Sequence, residues 1–129
     1  MDDTGHTKYP VLFRVYGGPT ANLVTYRYNV DWHYYLASDV KLKYITVVVD
    51  GRGTMYRGRK LRNPVRGNLG YHEALDQANA ARIWASKRYV DSRRIGIWGW
   101  SYGGYLTLKV VEAAFGLHSL AVSVAVSYR

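Results

Sequence analysis

Six consecutive residues, Tyr44-Ile-Thr-Val-Val-Val49, are apolar or β-branched with no charged residue among them. A strand with one wet face alternates in character. An uninterrupted run instead predicts a strand covered on both faces, which calls for a parallel sheet between helices. Asp50-Gly51-Arg52-Gly53 stops the run. Tyr9–Tyr16 reads as another strand, ended by Gly17-Gly18-Pro19, and Arg94–Trp98 and Leu120–Val126 read as two more. Helices are expected between them. Asn29–Ala37 would carry Val30 and Tyr34 on one face, with Trp32 and Leu36 nearby. Tyr71–Tyr89 would pack closely through Ala74, Ala78, Ala81 and Ala85, until Val90-Asp91-Ser92 breaks it. Tyr102–Phe115 would be stopped by Gly116. Residues 54–70 read as a polar, basic loop. Strands alternating with helices imply an α/β fold: a partial doubly wound, mostly parallel sheet of about four strands and three main helices. No linker or domain boundary interrupts residues 1–129. Such a sheet normally continues with a helix over its last strand, so the expectation is part of a domain that lacks its C-terminal strands.

Composition narrows the chemistry. The chain has no cysteine, which excludes disulfide scaffolds, thiolate metal sites and a cysteine nucleophile. No signal-peptide pattern is read in MDDTGHTKYP, and no apolar run reaches the roughly 18 residues of a membrane span. The formal charge is +9, and Arg52, Arg57, Arg59, Lys60, Arg62 and Arg66 cluster without an intervening acid. That suggests an anionic partner. No nucleic-acid-binding motif accompanies the charge, so a solvated basic loop is expected and nucleic acid is not a favoured partner. The 13 tyrosines read as core and pocket residues before base-stacking ones.

The segment Gly99-Trp100-Ser101-Tyr102-Gly103 fits G-x-S-x-G, with a predicted strand before it and a helix after it. In a nucleophile elbow the serine occupies a strained turn that exposes its Oγ. Flanking glycines, here Gly99 and Gly103, let neighbouring backbone approach, and Gly104 extends that freedom into the helix. The helix N-terminus favours negative charge, so the Tyr102 N–H can stabilise an oxyanion formed when Ser101 attacks a carbonyl. Losing one such donor typically costs about 3 kcal/mol of transition-state stabilisation. The plainer alternative is a strand–helix turn with Ser101 as its N-cap. The loop after the first strand, Val15-Tyr16-Gly17-Gly18-Pro19, is where a hydrolase sheet places its other oxyanion donor. The Tyr16 hydroxyl can fill that role, or Tyr16 can be a core residue at a strand end.

Tyr9-Pro-Val-Leu-Phe-Arg-Val-Tyr-Gly-Gly-Pro19, Val49-Asp-Gly-Arg-Gly-Thr54, Asp76-Gln77 and Gly99-Trp-Ser-Tyr-Gly-Gly-Tyr105 occur in this order. Together they resemble the dipeptidyl-peptidase IV branch of the prolyl oligopeptidase family of serine peptidases. The run from Gly58 to Gly104 is most similar to the fungal vacuolar dipeptidyl aminopeptidases. The resemblance spans about Lys8 to Ser127. It implies an α/β-hydrolase catalytic domain that, in full-length relatives, follows an N-terminal β-propeller and, in some, a membrane anchor. It implies removal of N-terminal dipeptides with Pro or Ala second, a vacuolar-membrane (type II) or secreted location, and room for a homodimer of the full-length protein.

Carried over by position, Ser101 is the nucleophile, and Tyr102 N–H and Tyr16 hydroxyl form the oxyanion hole. The Tyr102 side chain helps wall the proline pocket, and Trp100 packs. Asp50 and Arg52 hold nearby loops by hydrogen bonds. No metal or organic cofactor is implied. Met55 stands where relatives often have a small residue. The family's triad acid and histidine come later than Arg129, and none of His6, His33, His72 and His118 matches the catalytic position, so structural or solvent roles are expected for them. A serine without its base is a poor nucleophile, so the isolated chain is expected to show little or no peptidase activity. A non-catalytic interaction module of the same fold and an esterase or lipase are the alternatives.

Overall fold

The computed structural model describes residues 1–113 and 116–126. In chain order its elements are β1 (Tyr9–Val15), α1 (Trp32–Ser38), β2 (Ile45–Val48), α2 (Arg59–Arg62), α3 (Tyr71–Ala85), β3 (Val90–Trp100), α4 (Tyr102–Ala113) and β4 (Leu120–Val124). The strands form one sheet of order β2-β1-β3-β4, and every neighbouring pair is parallel. This is the expected α/β architecture.

Alternation along the strands separates two unequal faces. Val11, Phe13 and Val15 of β1 and Ile95 and Ile97 of β3 are buried with Ala74 and Ala81 of α3 and Leu106 and Val110 of α4. The alanine row is therefore a close-packing face, with Ala78 fully buried and Ala85 half-buried. The opposite face carries Leu12, Trp98, Leu120 and Val122, and with Trp32, Leu36, Leu42 and Tyr44 these line an apolar hollow of about 490 Å³. α1 covers it only partly: Trp32 and Leu120 are 60% and 56% exposed.

Several expectations are corrected. β2 is an edge strand with only Val47 buried, so its apolar run is not covered on both faces among the described residues. α1 begins at Trp32 and not Asn29, because Asp31 Oδ1 accepts the His33 and Tyr34 N–H groups at 3.0 and 3.1 Å and caps the helix there. Val30 lies outside it and is exposed, and Leu36 alone is buried. Residues 54–70 are not all loop: α2 and a 3₁₀ turn at Asn63–Val65 fall inside them, and Val65 is buried. α3 ends at Ala85 and not Tyr89: past the Ser86 cap the Lys87 N–H turns back to the Trp84 carbonyl at 3.0 Å, and the Tyr89 carbonyl accepts the Tyr9 N–H at 2.9 Å along the sheet. β3 starts at Val90 and not Arg94. It pairs Tyr9 with Val90, shifts register, then resumes at Val11 with Ile95. β4 stops at Val124. The expected helix end at Phe115 lies outside the described residues, and Gly116 has φ +79°.

Candidate active site

β1 sends the chain outward to β2, and the chain then crosses back past β1 to form β3. The loops leaving the carboxyl ends of β1 and β3 therefore diverge, which opens a crevice where open α/β sheets bind ligands. The register places Val15 beside Gly99, so the residues that follow, Tyr16 and Ser101, leave neighbouring strand ends.

Ser101 stands alone between β3 and α4, and its φ is +56°. That left-handed conformation costs an L-residue roughly 1–2 kcal/mol, and it differs from the extended backbone of an ordinary side-chain N-cap. The turn is clamped from both sides. Ser101 N–H donates to the Val124 carbonyl at 2.9 Å, and Tyr105 N–H donates to the Ser101 carbonyl at 3.1 Å. A Cβ on Gly99 would collide with the Gly103 carbonyl, and one on Gly103 would collide with the Val15 carbonyl. A Cβ on Gly104 would come within 2.7 Å of the Val124 oxygen. The glycines thus let α4 start directly against the ends of β1, β3 and β4. Tyr102, the first residue of α4, contributes one of the first-turn N–H groups that lack an intrahelical partner.

The Tyr16 and Tyr102 rings lie 6.4 Å apart at 60°, and both residues are half-buried. Trp100 does not pack as expected. It is 59% exposed and borders a small cavity of about 80 Å³ with Arg14, Val15, Tyr16, Leu23 and Trp98.

The loops below the crevice are held by carboxylates. Asp50 accepts the Leu23 and Val24 N–H groups at 3.0 and 2.9 Å and the Asn22 amide at 3.2 Å. Asn22 also brackets the Met55 backbone, accepting its N–H at 3.0 Å, so this turn is fastened through atoms that the Met55 side chain does not supply. Arg52 grips Asp76 of α3 through Nε and Nη2 at 3.0 and 2.6 Å, and its Nη1 lies 2.9 Å from His72 Nδ1. The hydrogen bonds it donates to Asp76 hold the Arg52 guanidinium above the usual arginine range. Gln77 donates to the Val49 carbonyl at 2.8 Å, which ties the same helix to the end of β2.

One site residue escaped the sequence reading. Glu73, 2% exposed near the start of α3, accepts the Gly70 N–H through Oε2 at 3.0 Å and the Tyr102 hydroxyl through Oε1 at 2.8 Å. Burial, then the hydrogen bond to Glu73, pushes the Tyr102 phenol well above its ordinary range. The available signal was the spacing Gly70-x-x-Glu73 at a helix start, half of a capping box.

Three histidines have partners other than Ser101. His33 stacks on Trp98 at 5.4 Å and accepts its indole N–H at 3.0 Å. His72 contacts Arg52 as above. His118 meets the Phe13 ring edge-on at 6.3 Å, and burial holds its imidazole below the ordinary histidine range. Among the described residues no cluster of His, Cys, Asp or Glu is arranged to hold a metal ion.

The model of the prolyl oligopeptidase family matches residues 28–128. The protein named "Probable dipeptidyl-aminopeptidase B" in Sclerotinia sclerotiorum is 57% identical over 109 residues, covering 84% of this chain and 12% of that protein. Its namesake in Penicillium rubens is 56% identical over the same shares. The crystal structure of Porphyromonas gingivalis dipeptidyl peptidase 4 superposes with a TM-score of 0.88 at 43% identity, over 95% of this chain and 17% of that one. The chain thus spans about an eighth of the length of the curated relatives it matches. With a family match over most of its residues, and relatives and a solved structure that agree, this chain belongs to the prolyl oligopeptidase family.

Proposed function

We propose that these 129 residues are the nucleophile-bearing N-terminal part of the catalytic domain of a serine dipeptidyl peptidase. Ser101 Oγ attacks the carbonyl after the second substrate residue, and its proton passes to a histidine supplied by sequence outside this chain. The tetrahedral oxyanion is held by the Tyr102 N–H and the Tyr16 hydroxyl. The C–N bond breaks as that histidine returns the proton to the leaving amine, and water then cleaves the acyl-enzyme ester and releases the dipeptide. Peptides with Pro or Ala second are the substrates. A β-propeller and the remainder of the catalytic domain are the partners within the protein, which forms a homodimer.

The observation that carries this reading is the left-handed Ser101, set at the switch point beside the strand that leads into Tyr16. The relatives, dipeptidyl aminopeptidases by name, support the substrate class. The test is a substrate panel on the full-length protein containing this chain. Release of dipeptides from Xaa-Pro and Xaa-Ala amides, abolished by Ser101→Ala, is expected. Preference for simple acyl esters would favour an esterase, and no turnover of either would favour a non-catalytic module.

A further inference from the structure

We propose that Glu73 is a positioning residue for the candidate site, holding the Tyr102 hydroxyl so that the ring and backbone of Tyr102 keep one orientation beside Ser101. This rests on the reading of Tyr102 as oxyanion donor and pocket wall. A carboxylate this deeply buried is costly unless its oxygens are satisfied. Glu73 satisfies one with a backbone N–H of its own helix start and spends the other on a side chain from a different helix, at 3.0 and 2.8 Å. A helix cap needs only the first of these bonds.

The second bond has a geometric consequence. Tyr102 is the first residue of α4, directly after the strained Ser101, so fixing its phenol fixes the ring about its Cα as well as at its tip. Tyr105, one turn on, donates from its hydroxyl to the Leu69 carbonyl at 3.1 Å, next to the Gly70 that Glu73 grips. The starts of α3 and α4 are therefore latched twice, and one latch ends on a candidate site residue. Arg52 lies within electrostatic reach of Glu73 and grips Asp76 on the same helix, which keeps α3 seated. The Asp50-Gly51-Arg52-Gly53 turn, the Asp76-Gln77 pair and the elbow thus form one chain of contacts with Glu73 as its last link.

Glutamine at 73 separates the two bonds. Its single carbonyl can accept from Gly70 or from Tyr102, but not from both. With Gly70 satisfied, the amide NH₂ faces Tyr102 and donates to the phenol oxygen, so the charge-assisted bond from the phenol is replaced by a weaker neutral one of opposite direction. The experiment compares Glu73→Gln, Tyr102→Phe and the double variant in the full-length protein, with active sites counted by a fluorophosphonate probe. Per labelled site, Tyr102→Phe is expected to lower kcat/KM on an Xaa-Pro amide about tenfold, the scale of one hydrogen bond to a charged group, and Glu73→Gln by less but severalfold. The loss should be smaller on Xaa-Ala, where less ring wall is used. The double variant should be no worse than the poorer single one.

A purely structural Glu73 would lower the number of labelled sites and leave kcat/KM per site and the Pro/Ala ratio unchanged, and that result overturns the proposal. Losses that multiply in the double variant overturn it too. If Glu73→Gln does not fold, Tyr102→Phe decides, since it keeps Glu73 and its Gly70 bond: an unchanged Pro/Ala ratio overturns the proposal and a lowered one supports it. A parent protein that is not labelled at Ser101 removes the functional reading and this one together. A labelled parent with an unaltered Glu73→Gln variant removes this one alone.

Discussion

At the scale of single residues, the elbow is a store of strain held by close backbone contacts. Ser101 adopts φ +56°, a region glycine enters without the Cβ penalty. Ser101→Gly should therefore be more stable than Ser101→Ala by about 1 kcal/mol, although both lack the candidate nucleophile's hydroxyl. Urea unfolding midpoints compare them, and equal midpoints would show that the turn is unstrained. Gly103 makes the opposite case. A methyl there meets the Val15 carbonyl and sits 2.9 Å from Tyr16 Cα, and neither is a side chain that can rotate away. Gly103→Ala should cost about 1–3 kcal/mol by overpacking and displace α4 from β1, which the same measurement reads. The pattern G-x-S-x-G made these residues legible in sequence, because each glycine answers a contact made within a few residues or with a strand whose end was already marked by Gly17-Gly18-Pro19. Glu73 was not legible, because its value lies in reaching Tyr102, 29 residues further on.

At the scale of elements, α3 is seated by polar clamps as much as by its alanines. Removing the Arg52–Asp76 grip by Arg52→Ala should destabilise by about 1–3 kcal/mol, the range for hydrogen bonds to charged groups. Thermal unfolding of Arg52→Ala beside Arg52→Lys checks this. Lysine cannot reproduce the two-nitrogen grip and should recover only part of the loss. His118, against Phe13 under the sheet, gives a signed pH effect. Burial lowers its folded-state affinity for a proton. Above the ordinary histidine pKa of about 6.5 both folded and unfolded forms are neutral and nothing is lost. As pH falls below that value the unfolded chain takes up the proton first, so stability falls until the folded-state pKa is reached. His118→Leu should abolish this part of the acid destabilisation, seen as a growing stability gain over the parent as pH is lowered. A gain that does not change with pH would contradict it. The four strands and the three longer helices were readable from periodicity, whereas their ends and the short α2 were not. Asp31 moved the start of α1 by capping it, and α3 gave way at Ser86 to a turn that leads Tyr89 to Tyr9 in the sheet, a partner that local patterns do not reveal.

At the scale of the molecule, strand order brings separate motifs together at one candidate site. The run Tyr44–Val49 announced a parallel sheet, and β2 pairs in parallel with β1, at the end of the strand order among the described residues. The crevice arises because β1 is flanked by both β2 and β3, a fact of topology that sets Tyr16 and Ser101 side by side though 85 residues separate them. The central claim is that this crevice presents an activated serine when the protein is complete. It is tested most directly by treating the full-length protein with a fluorophosphonate and locating the adduct by peptide mass spectrometry. The account predicts one modified residue, Ser101, lost in Ser101→Ala, with the isolated 129-residue chain reacting far more slowly. A modified serine elsewhere, with Ser101 untouched, would contradict it.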